Sequence, residues 1–109
     1  MNDPSSPAAQ PTRPPAAIDN SNFRRFETRA ANGSLAFLDY TIEGDRIILE
    51  HTFVPDILRG KGVAANLARA ALTEARQRHW KVVPHCSYVA GFIKQHPEFA
   101  DLVEAEPAP

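Results

Sequence analysis

The segment from Val54 to Ala75 limits what this chain can fold into more than any other. A run rich in β-branched and aromatic residues ends at Pro55, passes through Arg59-Gly60-Lys61-Gly62-Val63-Ala64, and continues into a stretch rich in alanine and leucine. Thr52-Phe53-Val54 has the composition of a strand end. Beyond the loop, Val63, Leu67 and Ala71, with Ala64, Ala68, Leu72 and Ala75, recur at spacings of three and four. That period predicts a helix over Gly62 to His79 with one broad apolar side. Arg69, Thr73, Arg76 and Gln77 take much of the other side, and Arg76, Arg78 and His79 fall in the last turn, where positive charge suits the helix dipole.

A glycine-bearing loop between a strand and a helix leaves backbone N–H groups free at the positive end of the dipole, a natural seat for phosphate. Arg59 and Lys61 beside those amides suit a pyrophosphate or a ribose phosphate. The loop lacks the third glycine of the dinucleotide fingerprint and the Gly-Lys-Ser/Thr ending of a P-loop, which disfavours both. A tight turn that needs glycine for backbone reasons alone reads the same way. The residues of the loop leave the two readings open.

The flanking segments place the loop. Phe23 to Arg29 alternates weakly, Asn32-Gly33 is a turn signal, Leu35 to Ile42 is β-prone, Glu43-Gly44-Asp45 is a second turn, and Arg46 to Val54 is a third strand. Short turns predict an antiparallel meander of three strands. Arg24, Arg25 and Arg29 read as a solvated strand face. Trp80 to Val83 is a short strand stopped by Pro84, and Tyr88 to Gln95 a short helix with Val89, Phe92 and Ile93 inward. His96-Pro97 ends that helix, and Phe99 to Val103 packs back on the body. A strand, a loop and helix, then a strand form a βαβ unit, so Arg46–Val54 and Trp80–Val83 should run parallel. The fold class is α/β with a mixed sheet.

Length and charge narrow the function. A chain of 109 residues with 43% hydrophobic residues holds one domain with a modest core. Residues 1–17 are rich in Pro, Ala and Ser and read as a disordered tail ahead of a domain over 18–106. A net charge of −1, with acids and bases interspersed, offers no broad field for nucleic acid. One cysteine, Cys86, excludes an intrachain disulfide, and the four histidines are not spaced as a metal site. No stretch approaches the length of a membrane span, and the first residues lack a signal peptide's charged start and apolar core. A cytoplasmic protein without a membrane partner is expected.

Arg59-Gly60-Lys61-Gly62-Val63-Ala64 matches the pattern Gln/Arg-x-x-Gly-x-Gly/Ala, and so resembles the acetyl-CoA pyrophosphate loop of the GNAT N-acetyltransferase superfamily. Three further elements follow in register. His51-Thr52-x-Val54-Pro55, Val83-Pro84-x-Cys86-Ser87-Tyr88-Val89 and Ile93-x-x-His96-Pro97-Glu98 look like the small YjdJ-like branch of that superfamily, over about Phe23 to Val103. The resemblance implies a minimal acetyl-CoA N-acyltransferase fold: an antiparallel meander leading into a βαβ unit whose sheet splays around the cofactor. It implies acetyl-CoA as co-substrate, with the backbone near Phe53 and Val54 on the pantetheine arm and the amides of Gly60 to Ala64 on the pyrophosphate. The branch often carries an acidic residue where this chain has Phe53.

Acetyl transfer needs a neutral nucleophile and a path for its proton. Cys86 follows a strand and precedes a helix, where the dipole favours thiolate. It reads either as an acetyl-accepting nucleophile, the role to which the resemblance points, or as a small buried residue lining the cleft. His85 adjoins it, although neighbours on a strand point to opposite faces. Glu50 and His51 are base candidates, and by strand alternation only one of them points into the cleft. Tyr88 either donates to the departing CoA sulfur or packs in the core, and His96 reads as a helix cap. The expected reaction is acetyl transfer from acetyl-CoA to an amine on a small molecule, a polyamine or a protein. Two other classes stay in view: an acyl-CoA-binding module without turnover, and a scaffold domain recruited through the proline-rich tail.

Overall fold

The computed structural model describes residues 16–104. The tail expected over 1–17 lies outside the described residues except for Ala16 and Ala17, as do the last two residues of the domain expected over 18–106. Ala17 packs half-buried against the core, and the Thr28 hydroxyl donates to the Ala16 carbonyl at 3.5 Å.

One sheet carries strands β1 (Ile18–Asn20), β2 (Arg25–Arg29), β3 (Leu35–Glu43), β4 (Arg46–Phe53) and β5 (Lys81–Pro84) in chain order. The first four run antiparallel, and β4 pairs with β5 in parallel. The parallel pair confirms the βαβ reading, and β1 extends the expected meander by a strand. That strand escapes a propensity reading because aspartate and asparagine, both poor strand formers, make up two of its three residues. β2 starts later than expected, since Ser21 to Arg24 form the turn from β1: the Arg24 amide donates to the Ser21 carbonyl at 3.2 Å, and Arg24 has a φ of 55°. Pro84 closes the short ladder as its last paired residue opposite Leu49.

The helix α1 (Val63–Arg78) crosses over between β4 and β5. Leu67, Ala68, Ala71, Leu72 and Ala75 are fully buried on its apolar side and join a core with Phe26, Leu38, Ile47 and Leu49. The small alanines let the helix lie close to the sheet. At its C-terminus His79 takes a left-handed conformation and returns its amide to the Ala75 and Arg76 carbonyls.

The helix α2 (Ser87–Gln95) turns Val89, Phe92 and Ile93 into the same core, as their spacing predicts. His96 caps it and stacks its ring on Phe92 at 4.1 Å. The 3-10 segment Pro97–Leu102 then buries Phe99 and Leu102. Arg76 pins that segment to α1, donating to both Asp101 carboxylate oxygens at 3.0 Å and to the Glu98 carbonyl at 2.7 Å. No helix of the described residues is long and apolar enough to cross a membrane.

Two arginines depart from the expected solvated strand face. The Arg25 guanidinium lies between the Phe23 and Phe37 rings, 5.2 and 5.0 Å from their centroids, and pairs with Glu27. Stacking suits a planar cation whose hydration is weak. Arg24 sits in the β1–β2 turn rather than on a strand.

Candidate active site

The parallel ladder ends where Leu49 faces Pro84, and the Cys86 amide donates to the Leu49 carbonyl at 2.9 Å as the last link. Beyond that point β4 runs on to Phe53 while the chain after β5 turns away into α2, so the two segments part. The splayed sheet that was expected is present, and the gap opens at Cys86.

A bulge shapes one wall of the gap. On β3 Asp39 faces His51, yet the next residue, Tyr40, faces Leu49, which leaves Glu50 as an extra residue on β4. Strict alternation is lost there, and the expectation that only one of Glu50 and His51 faces the cleft fails for that reason. Both line one open depression of about 530 Å³, together with Thr52, His85, Cys86 and Ser87. Glu50 accepts from the Thr41 hydroxyl at 3.1 Å, and its other oxygen lies 3.4 Å from His85 Nδ1. The His51 amide donates to Asp39 Oδ1 at 2.8 Å, which anchors the bulge, while the His51 ring stays largely in solvent. Cys86 caps α2, is 8% exposed, and has its Sγ 3.2 Å from Thr52 Oγ1.

The loop before α1 forms a second depression, of about 250 Å³, where Val54, Arg59, Gly60, Gly62, Val63 and Ala64 meet Tyr88 of α2. Gly60 and Gly62 have φ values of 77° and 78°, a conformation that side chains resist, and a Cβ added at either would meet nothing within 4 Å. Gly62 is the N-cap and, as glycine, brings no side-chain hydrogen bond to the first turn. The first-turn amides therefore face open space with the dipole behind them. Arg59 Nε is held near the Val54 carbonyl and Asp56, with the side chain largely exposed.

Lys61 and Phe53 lie beside this depression without lining it. Lys61 is exposed, and Phe53 packs its ring against Phe37 at 5.6 Å. Tyr88 keeps its proton to higher pH than an ordinary phenol, because partial burial disfavours the phenolate and the Cys86 sulfur repels it. The Cys86–Thr52 contact and the Glu50–His85 pair are the two relations that residue spacing missed. Each joins residues more than thirty positions apart, with no local signal to link them.

Comparison with known proteins agrees with this geometry. The family described as GCN5-related N-acetyl-transferase matches residues 25–102. A Bos taurus protein named NATD1 is 37% identical over 95 residues, spanning 84% of this chain and 84% of that protein. Its Homo sapiens namesake is 37% identical over 86 residues, spanning 76% of each. A Staphylococcus aureus protein whose solution structure is described as GCN5-like superposes with a TM-score of 0.62 at 26% identity, covering 77% of this chain and 84% of that one.

Proposed function

The chain belongs to the GCN5-related N-acetyltransferase family, and from that premise we propose that it moves the acetyl group of acetyl-CoA to an amine across the gap between β4 and β5. The observation that carries this reading is the glycine-capped N-terminus of α1, entered through two left-handed glycines with open space above them and adjoining Tyr88. That cradle fits a pyrophosphate: amides of the first turn take its oxygens, and the cationic Arg59 and Lys61 lower its charge. The exposed backbone near Phe53 and Val54, past the end of the parallel ladder, takes the pantetheine arm. Acetyl-CoA itself supplies a thioester carbonyl open to attack.

Cys86 is the residue through which we route the transfer. Its thiol proton passes to water at the open mouth, and Sγ attacks the carbonyl carbon. The bond from that carbon to the CoA sulfur breaks, and Tyr88 protonates the leaving thiolate. The acceptor amine then attacks the acetyl-cysteine, its surplus proton goes to Glu50 or His51, and Cys86 leaves as the thiolate; exchange with solvent then returns protons to Cys86 and Tyr88 and removes the one held by the base. Thr52 holds the sulfur in place, and the Thr41 and His85 contacts hold Glu50. The acceptor side is the wide depression around Cys86, open enough for an amine on a small molecule, a polyamine or a protein side chain.

The test is release of CoA from acetyl-CoA in the presence of a panel of amines. Amine-dependent release supports the enzyme. Tight binding of CoA with no release from any amine favours a binding module, and no binding at all overturns the cofactor assignment.

A further inference from the structure

A third depression lies at the opposite end of α1 from the glycine loop. It has a volume of about 470 Å³, and its walls include Asp19, Arg24, Tyr40, Ile42, Arg78 and Trp80. Val63 lines the loop depression and Arg78 this cavity, so the 16-residue helix holds the two roughly 24 Å apart.

The chemistry here is that of an anion site with an apolar wall. Two guanidiniums share the walls with one carboxylate, Asp19, which accepts from the buried Tyr40 hydroxyl at 2.7 Å. Glu74, outside the lining, pairs with Arg78, so an anion would be recognised by the directed N–H donors of the arginines rather than by a surplus of positive charge. Arg78 is held in place from two sides, paired with Glu74 and stacked 5.2 Å over the Trp80 ring. Arg24 is held by its backbone in a conformation uncommon outside glycine, with a φ of 55°, and its carbonyl accepts from the Tyr40 amide at 2.9 Å. Strain kept at a cavity wall is a feature of binding sites. The burial that suppresses ionisation of Tyr40 keeps its phenol neutral, so it adds no negative charge of its own.

We propose that this cavity is a second binding site, for a small phosphate ester carried on a flat ring, with Arg24 and Arg78 taking the phosphate and the Ile42–Trp80 wall taking the ring. The volume lies within the range of small-molecule pockets, and paired guanidiniums match phosphate oxygens in geometry as well as charge. This site stands independently of acetyl transfer and shares no residue with the loop depression.

The experiment is an amide- and indole-detected NMR titration of the full chain with phenyl phosphate, with inorganic phosphate and phenol as separate arms. Saturable shifts are expected at Arg24, Arg78 and the Trp80 indole N–H. Arg24→Gly should weaken binding about tenfold or more, and because glycine adopts this φ freely the variant keeps its fold. Arg78→Gln should do the same, and Gly62→Glu, at the other end of α1, should leave the shifts unchanged. Shifts confined to Gly60–Ala64, absence of saturation, or wild-type affinity in both arginine variants would overturn the site. Equal affinity for inorganic phosphate and phenyl phosphate would overturn the role of the ring.

Discussion

Thr52 Oγ1 and Cys86 Sγ lie 3.2 Å apart, bridging β4 and the start of α2 where the parallel ladder has just ended. The contact spans the gap at its narrow end. If Cys86 accepts the acetyl group, incubation with acetyl-CoA should add one acetyl to the intact protein, mapped to Cys86 by peptide mass. Cys86→Ala should lose that adduct and drop amine transfer to near background. Thr52→Val removes a hydrogen bond worth about 1 kcal/mol, so it should slow adduct formation by no more than about tenfold. Full transfer by Cys86→Ala would remove the covalent route and leave direct attack by the amine.

In the proposed transfer Tyr88 supplies the proton to the departing CoA sulfur. Burial and the neighbouring sulfur keep the phenol protonated beyond the ordinary tyrosine range. Tyr88→Phe should therefore lower kcat by about 100-fold, with little change in KM for acetyl-CoA. The wild-type alkaline limb should fall above the usual phenol value, and Tyr88→Phe should abolish that limb.

Much of this was legible in the chain. The loop, α1 and the parallel return are announced by a Pro-stopped strand, glycines and a strong period of three and four. The gap was legible only through resemblance, because a splay comes from where pairing stops. The pairing of Glu50 with His85 could not be read, since a one-residue bulge at Asp39/Tyr40 cancels the alternation on which a strand reading rests. Arg25 read as solvated because no local signal reveals that Phe23 and Phe37 flank it across a turn and a neighbouring strand.

Acid should destabilise the fold through two carboxylates. Burial alone would raise the Glu27 carboxyl, but hydrogen bonds from Arg25 and Asn20 outweigh it and hold the group below its ordinary range. The Arg76 fork does the same for Asp101. Groups depressed in the folded state bind protons more readily when unfolded, so stability is complete above the unfolded range of about 4 and falls as pH drops towards the folded values. Denaturant titrations from pH 7 to pH 3 should show this slope, and Glu27→Gln should flatten it.

Burial sets the cost of core changes. Leu72 is fully buried between α1 and the sheet, so Leu72→Ala should cost about 2–5 kcal/mol in urea unfolding at an unchanged slope. Ile57, 58% exposed, should tolerate alanine within about 0.5 kcal/mol.

If the N-terminus of α1 holds the pyrophosphate of CoA, calorimetric titration with CoA will register it. Gly62→Glu places a carboxylate in the open space above the first-turn amides. Gly62→Ala supplies the same backbone strain, about 1 kcal/mol, without the charge. Saturable binding is expected of the wild type, binding within a few-fold of it of Gly62→Ala, and none detectable of Gly62→Glu. Wild-type affinity in Gly62→Glu would rule out pyrophosphate binding at this helix end.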